Sequence, residues 1–307
     1  MTAVAPLPEY LTARRAQIED ALARLLPSPP RCPARVSDAM RYSLLAGGKR
    51  LRPILALAAA ETVSDPRRIE RAVAHALPTA CAIEFIHTYS LIHDDLPAMD
   101  DDSLRRGRPT NHVVHGEGMA ILAGDGLLTE AFALMANEPA DPALAPVKLR
   151  AISMVATAAG ALGMVGGQAL DLDAVGAAAT FDMASLQDMH ARKTGALIRA
   201  SAAAGAIMAG AGDSVINAVE EYGRQIGLAC QIVDDILDVE GDAQALGKTA
   251  GKDARAGKPT YPAVHGVDAS RALAVAHLDA ALASLTNAGV VPGRLGDLAR
   301  WVVMRTN

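Results

Sequence analysis

The 307-residue sequence predicts an all-α protein, and three observations carry that reading. Hydrophobic residues make up 51% of the chain but aromatics only 3%, so the core must be built from Ala, Leu, Val, Ile and Met. Strands favour β-branched and aromatic side chains, whereas small aliphatic residues suit closely packed helices. Apolar positions recur at helical spacing in segment after segment, and no segment of convincing length alternates apolar with polar residues.

The elements follow in order. An amphipathic helix over 9–26 is closed by Pro27, Pro29, Pro30 and Pro33. Helical spacing resumes over 36–46 and 53–63, divided by the polar turn GGKRLRP. A long apolar run covers 69–95 and stops before Pro97. Further helices are expected over 117–136, 147–172, 181–211, 214–238, 268–286 and 294–305. The breaks fall at 137–146, 175–180, 241–262 and 287–293. Neither a linker of shifted composition nor a short repeat divides the chain. The expectation is a single domain over 1–307, a bundle of about ten helices.

The twenty uncharged residues between Arg150 and Asp171 are long enough to span a bilayer. Four glycines, Ser153, Thr157 and Gln168 make them only weakly hydrophobic, so they are read as a helix buried on all sides in a soluble domain. A net charge of −5 argues against nucleic-acid binding, which needs a basic face. Cys32, Cys81 and Cys230 form no CxxC pair, and the first twenty residues lack the apolar core of a signal peptide. Both features fit a reducing, cytoplasmic setting.

The chemistry concentrates in two acidic motifs. His93-Asp94-Asp95-Leu96-Pro97-Ala98-Met99-Asp100-Asp101-Asp102 puts five acidic residues in nine positions at the end of an apolar helix. Such a cluster is costly unless cations neutralise it. Pro97 disfavours continued helix, so Asp94 should sit at the helix end with Asp100 on a loop that can fold back to it. Gln231-Ile-Val-Asp234-Asp235-Ile-Leu-Asp238 ends another apolar helix, with Asp234 and Asp238 on one face. Oxygen ligands without His or Cys at ligand spacing favour Mg²⁺, which completes its shell with water and substrate phosphate. The basic side is supplied by Gly47-Gly48-Lys49-Arg50-Leu51-Arg52-Pro53, by Arg105-Arg106-Gly107-Arg108, by Lys193-Thr194-Gly195, and by Lys248, Lys252 and Lys258. Glycines allow close backbone approach, and Arg offers a fork to phosphate oxygens.

In this order, GGKRLRP, HTYSLIHDDLPAMDDDSLRRGRPTNH, GGQALDL, KTG, QIVDDILD and GKTAGKD…GKPTYP resemble the motifs of the trans-isoprenyl diphosphate synthases, the polyprenyl synthetase family. Two extra residues in the first acidic motif resemble the bacterial farnesyl and the plant and bacterial geranylgeranyl diphosphate synthases. The resemblance implies a Mg²⁺-dependent head-to-tail condensation of isopentenyl diphosphate with dimethylallyl or geranyl diphosphate. It implies that Lys49, Arg52, His87 and Arg106 bind the isopentenyl diphosphate. Arg105, Lys193, Lys248 and Lys258 should bind the allylic diphosphate, and Thr194 and Gln231 should line the allylic chain. Asp94 and Asp100 should hold two Mg²⁺ and Asp234 a third, with Asp238 supporting and Asp95 counted among the ligands. A homodimer without stable membrane insertion is also implied.

Other readings fit less well. A di-iron bundle needs two Glu-x-x-His motifs, and the chain has one, Glu84-Phe-Ile-His87. A terpene cyclase would lack GGKRLRP and the second acidic motif, and a non-catalytic subunit would have lost acidic residues. Product length is read from Tyr89 and Ser90, roughly 6–8 Å below Asp94 at ~1.5 Å per residue. Ser90 leaves room, and Tyr89 is expected to form a floor. In the resembling enzymes an aromatic residue there goes with the fifteen-carbon product, so farnesyl diphosphate is expected, with geranylgeranyl diphosphate as the alternative. The C-terminus, Trp301-Val-Val-Met-Arg305-Thr-Asn307, is less basic than the tail that often ends the resembling enzymes, so whether it contributes to the isopentenyl site stays open.

Overall fold

The computed structural model describes residues 5–174, 183–240 and 260–305; Lys248, Lys252 and Lys258 lie outside them. The helices are α1 (Leu7–Leu25), α2 (Ala34–Leu44), α3 (Leu51–Thr62), α4 (Ile69–Asp94), α5 (Asn111–His115), α6 (Glu117–Asn137) and α7 (Ala145–Ala159). They continue with α8 (Met164–Ala174), α9 (Met183–His190), α10 (Ala196–Met208), α11 (Asp213–Glu240), α12 (Tyr261–His265), α13 (Val267–Asn287) and α14 (Gly293–Met304). The all-α expectation holds, with small departures at three places.

Helix α10 stands in the middle, packed on α3, α4, α7 and α11. Every residue from Ala196 to Met208 except Arg199 is buried. Its sequence, ALIRASAAAGAIM, is rich in residues that let backbones approach, and a Cβ on Gly205 would collide with the carbonyl oxygen of Ala56 in α3. Helix α3 is equally interior, buried from Pro53 to Ala60. Around this pair α4 lies against α6, and α11 against α13, so α4 and α11 each deliver a C-terminal acidic motif from a rigid inner helix.

The stretch after Arg150 is the first departure. It forms two helices, α7 and α8, broken between Gly160 and Gly163, and it is buried on one side only. Leu149 is 68% exposed and Leu162 74% exposed. The glycines explain the break: Gly160 leaves the helix in extended conformation, and Gly163 sits against the backbone of Ala158. The helix buried on nearly all sides is α10. Among the described residues, 117–137 and 142–174 are long and apolar enough to cross a membrane. The first of these packs Ala120, Ala123, Leu127 and Ala131 inside the bundle.

The second departure is a π-helical turn, Ala191–Gly195, within the segment read as one helix over 181–211. The third is a minimal hairpin, β1 (Leu104–Arg105) paired antiparallel with β2 (Arg108–Pro109). Its turn residues Arg106 and Gly107 have φ of 53° and 73°. Positive φ at both central positions is the type I′ geometry that matches strand twist.

Candidate active site

The first acidic motif folds back as its proline suggests. Helix α4 ends at Asp94, the Met99 N–H donates to the Leu96 carbonyl at 2.9 Å, and the Asp100 N–H donates to the Asp94 carbonyl at 2.8 Å. This returns Asp100 to the helix end. Burial pushes the Asp94 carboxyl up to about 6, with Lys193 opposing the rise and Asp100 adding to it. A buried carboxylate made costly by a like charge is a place where a divalent cation is stabilising.

Asp95 has another task. It is 3% exposed, and both its oxygens accept from Arg105, at 2.6 to 2.9 Å. Asp95 thus holds the guanidinium that stands beside Asp94. The hairpin turn then sends Arg105 and Arg106 apart. Arg106 reaches the Gly47 carbonyl and the face of Gly48, where a Cβ would lie 2.6 Å from its Nη1. Gly48 also has φ of +133°, so both the backbone and the space require glycine.

The basic turn between α2 and α3 divides similarly. Arg50 turns inward, its guanidinium bonded to Glu19, Glu84 and the Leu44 carbonyl. Lys49 is exposed, while Arg52 is half-buried, and its buried Nε has no partner among the described residues. His87 on α4 completes this cluster. Burial holds its imidazole well below the usual range, and Arg52, Arg106, Arg105 and Arg50 reinforce the effect. A neutral imidazole and several guanidiniums around one point form a site for a multiply charged anion.

On α8, Asp171 is 6% exposed and accepts from Lys193 Nζ at 2.6 Å. The π turn brings Lys193 there because Gly167 of α8 lies directly against its backbone nitrogen. Thr194 is half-buried on the same turn. Gln168, one helical turn before Asp171, has both amide atoms buried without a partner among the described residues. The sequence marks Asp171 only as the charge that ends an uncharged run.

The second acidic motif shows a further division. Asp235 is 4% exposed and accepts from the Tyr261 N–H at 3.0 Å, which seats α12, and from Gln231 Nε2 at 2.9 Å. Gln231 is thus tied to Asp235, where contact with the allylic chain had been expected. Asp234 is exposed, and Asp238 is half-buried one turn later. Asp234 accepts from Arg305 at 2.6 Å, and Arg305 also donates to the Cys230 carbonyl at 3.3 Å. The C-terminal segment therefore reaches the second acidic motif through Arg305. Partial desolvation lowers the pKa of the largely exposed Lys49, and Arg305 nearby adds to this, so Lys49, Arg305 and Asp234 share one neighbourhood. Among the described residues no three His, Cys, Asp or Glu side chains converge as a ready-made metal cage. Carboxylates in small groups, with orphaned polar atoms nearby, fit Mg²⁺ that keeps water and phosphate oxygens in its shell.

An inner helical bundle with acidic helix ends beside a cation pocket defines a prenyltransferase of the all-α class. The chain belongs to the polyprenyl synthetase family, whose model matches residues 33–288. It is 45% identical over 298 residues to the farnesyl diphosphate synthase of Geobacillus stearothermophilus, covering 97% of each chain. It is 46% identical to the geranylgeranyl diphosphate synthase of Cyanophora paradoxa, covering 85% of this chain and 84% of that one. The solved geranyltransferase of Helicobacter pylori, complexed with magnesium and isoprenyl diphosphate, superposes with a TM-score of 0.80 at 28% identity, covering 99% and 97% of the two chains.

Proposed function

We propose that this prenyltransferase, a single catalytic domain, condenses isopentenyl diphosphate with dimethylallyl and then geranyl diphosphate, giving farnesyl diphosphate and pyrophosphate. The observation that carries the reading is the cation cluster of Arg52, Arg106 and neutral His87 gathered against α4, the helix that ends at the Asp94 carboxylate. The relatives named for farnesyl and geranylgeranyl diphosphate synthesis support the substrate class. Asp94, Asp100, Asp234 and Asp238 hold Mg²⁺, three ions in this reading. Bound Mg²⁺ supplies the positive charge that neutralises pyrophosphate as it leaves.

The side chains do the rest. Lys193, held by Asp171, and Arg105, held by Asp95, take the allylic diphosphate. Lys49, Arg52, His87 and Arg106 take the isopentenyl diphosphate. The allylic C1–O bond breaks and its electron pair leaves with pyrophosphate. The isopentenyl double bond then forms the new bond from its C4 to that carbon. The C2 proton is lost to the departing pyrophosphate, so no side-chain nucleophile is required. The apolar inner helices exclude water from the cation.

The enzyme works as a cytoplasmic homodimer in this reading. The exposed apolar residues Leu149, Leu162 and Val165 on and beside α7 and α8 supply surface for a second copy. Turnover of labelled isopentenyl diphosphate with dimethylallyl diphosphate, with Mg²⁺ and with EDTA, tests the reaction. Arg52→Ala should raise KM mainly for isopentenyl diphosphate, and Lys193→Ala mainly for the allylic substrate. Equal effects on both substrates would collapse the two-site assignment.

A further inference from the structure

We infer that Arg50 and Glu84 form a buried positioning pair for the isopentenyl diphosphate site, with Arg50 acting through Lys49 and Arg52 and never on the substrate. This rests on the two-site reading above.

Arg50 is flanked by residues of that site, yet its own side chain is 1% exposed. All three guanidinium nitrogens are committed. Nε donates to Glu19 Oε1 at 2.7 Å, Nη1 to Glu84 Oε1 at 2.8 Å, and Nη2 to the Leu44 carbonyl at 2.6 Å. These partners belong to α1, α4 and the end of α2, so one side chain fixes three elements against the start of α3. Its backbone is left-handed, with φ of 50°. A non-glycine residue pays for that conformation and keeps it only where the surroundings over-determine it. The three hydrogen bonds are that over-determination. The kinked backbone separates the exposed Lys49 from the first turn of α3, where Arg52 points inward.

Glu84 completes the device from below. It is 2% exposed and lies three residues before His87, on the same side of α4. Arg52 and Arg106 both feel its charge. It therefore offsets part of the repulsion within the cation cluster without occupying the ligand's place. A buried ion pair is weak evidence for stability, since packed apolar side chains serve as well. Apolar side chains would not, however, fix the direction of two cations or balance their charge.

The test measures kcat and both KM values for Arg50→Lys, Glu84→Gln and the double variant, with circular dichroism to confirm folding. Arg50→Lys and Glu84→Gln should each raise KM for isopentenyl diphosphate about tenfold, with kcat and the allylic KM changed by less than about twofold. Because the two residues act as a unit, the double variant should be little worse than the poorer single one. Unchanged isopentenyl KM in folded variants, or equal losses on both substrates, overturns the inference. If Arg50→Lys does not fold, Glu84→Gln and Glu19→Gln decide, since Glu19 is 30% exposed and its loss is tolerable. Arg52→Ala is measured in parallel. If it leaves the isopentenyl KM unchanged, the two-site reading itself fails; if it raises that KM while the pair variants do not, only the positioning role fails.

Discussion

Arg305 donates to Asp234 across 2.6 Å, joining the last described residue of the chain to the second acidic motif. The arginine side chain is 8% exposed and the aspartate side chain 55% exposed. The pair therefore brings a sheltered cation to a carboxylate that remains open to solvent. A metal ion that uses Asp234 must share or displace this partner.

Arg305→Gln should consequently lower the Mg²⁺ concentration needed for half-maximal velocity. An ion pair with so open a carboxylate is worth no more than ~1 kcal/mol, which bounds the change at about fivefold. A Mg²⁺ titration of both proteins at saturating substrate checks it. A higher Mg²⁺ requirement in the variant would show that Arg305 assists metal binding.

Asp94 gives a pH dependence with a definite sign. Its carboxyl is raised from the ordinary value of 3.8 to about 6, so the metal-free folded state holds a proton that the unfolded chain has released. Ionised Asp94 therefore costs stability above pH 6, and the cost disappears as pH falls from 6 toward 4. Asp94→Asn should raise the Tm of EDTA-treated protein by a few degrees at pH 7.5 and by little at pH 4.5. The same variant should lose orders of magnitude in kcat, because the ligand charge acts as the leaving group departs. Thermal unfolding at both pH values decides; an equal gain at each would remove the titration from the explanation.

Core packing yields a simpler expectation. Gly205→Ala places a methyl group against the Ala56 carbonyl where α10 meets α3. Both helices are enclosed on all sides, so neither can shift freely. The substitution should cost about 1–3 kcal/mol and lower Tm by several degrees. Differential scanning fluorimetry would show it, and an unchanged Tm would mean that the α3–α10 contact is looser than its geometry.

Much of this was legible in the sequence because helix and motif signals are local. Periodicity located α3, α4, α6 and α11 within a few residues, and the two aspartate motifs announced their own chemistry. What escaped depended on contacts distant in sequence. Nothing near Asp95 says that Arg105 will take both its oxygens, and nothing near Asp234 says that Arg305 lies 71 positions away in chain but hydrogen-bonded in space. The stretch after Arg150 was misread for a related reason. Absence of charge does not distinguish a helix enclosed on every side from one with an apolar face left outside, and only the packing around α10 separates the two.

The proposed product length turns on Tyr89. This residue is 7% exposed, one helical turn above Phe85 and one below His93 on α4. Its ring meets the His93 ring edge-on, with centroids 5.7 Å apart, and the Nε2 end of His93 lies against Gly124 of α6, where no Cβ would fit. The edge-to-face pair is thus braced by a second helix. Ser90, beside Tyr89, is small and turns its hydroxyl back to the His87 carbonyl at 2.9 Å. In the proposed reading, a chain whose diphosphate is held at Asp94 and Lys193 would extend down α4 toward Tyr89. Tyr89→Ala should remove the floor and shift the main product from fifteen to twenty carbons or longer. It should also cost about 3 kcal/mol of stability through the cavity it leaves, so the assay must run well below the variant's Tm. Enlarging Ser90 to Phe should act in the opposite direction and favour the ten-carbon product. Chromatography of products labelled from isopentenyl diphosphate reads all three proteins. An unchanged product in Tyr89→Ala, or a wild-type enzyme that already makes mainly the twenty-carbon product, would show that the chain passes Tyr89 and that the floor lies elsewhere.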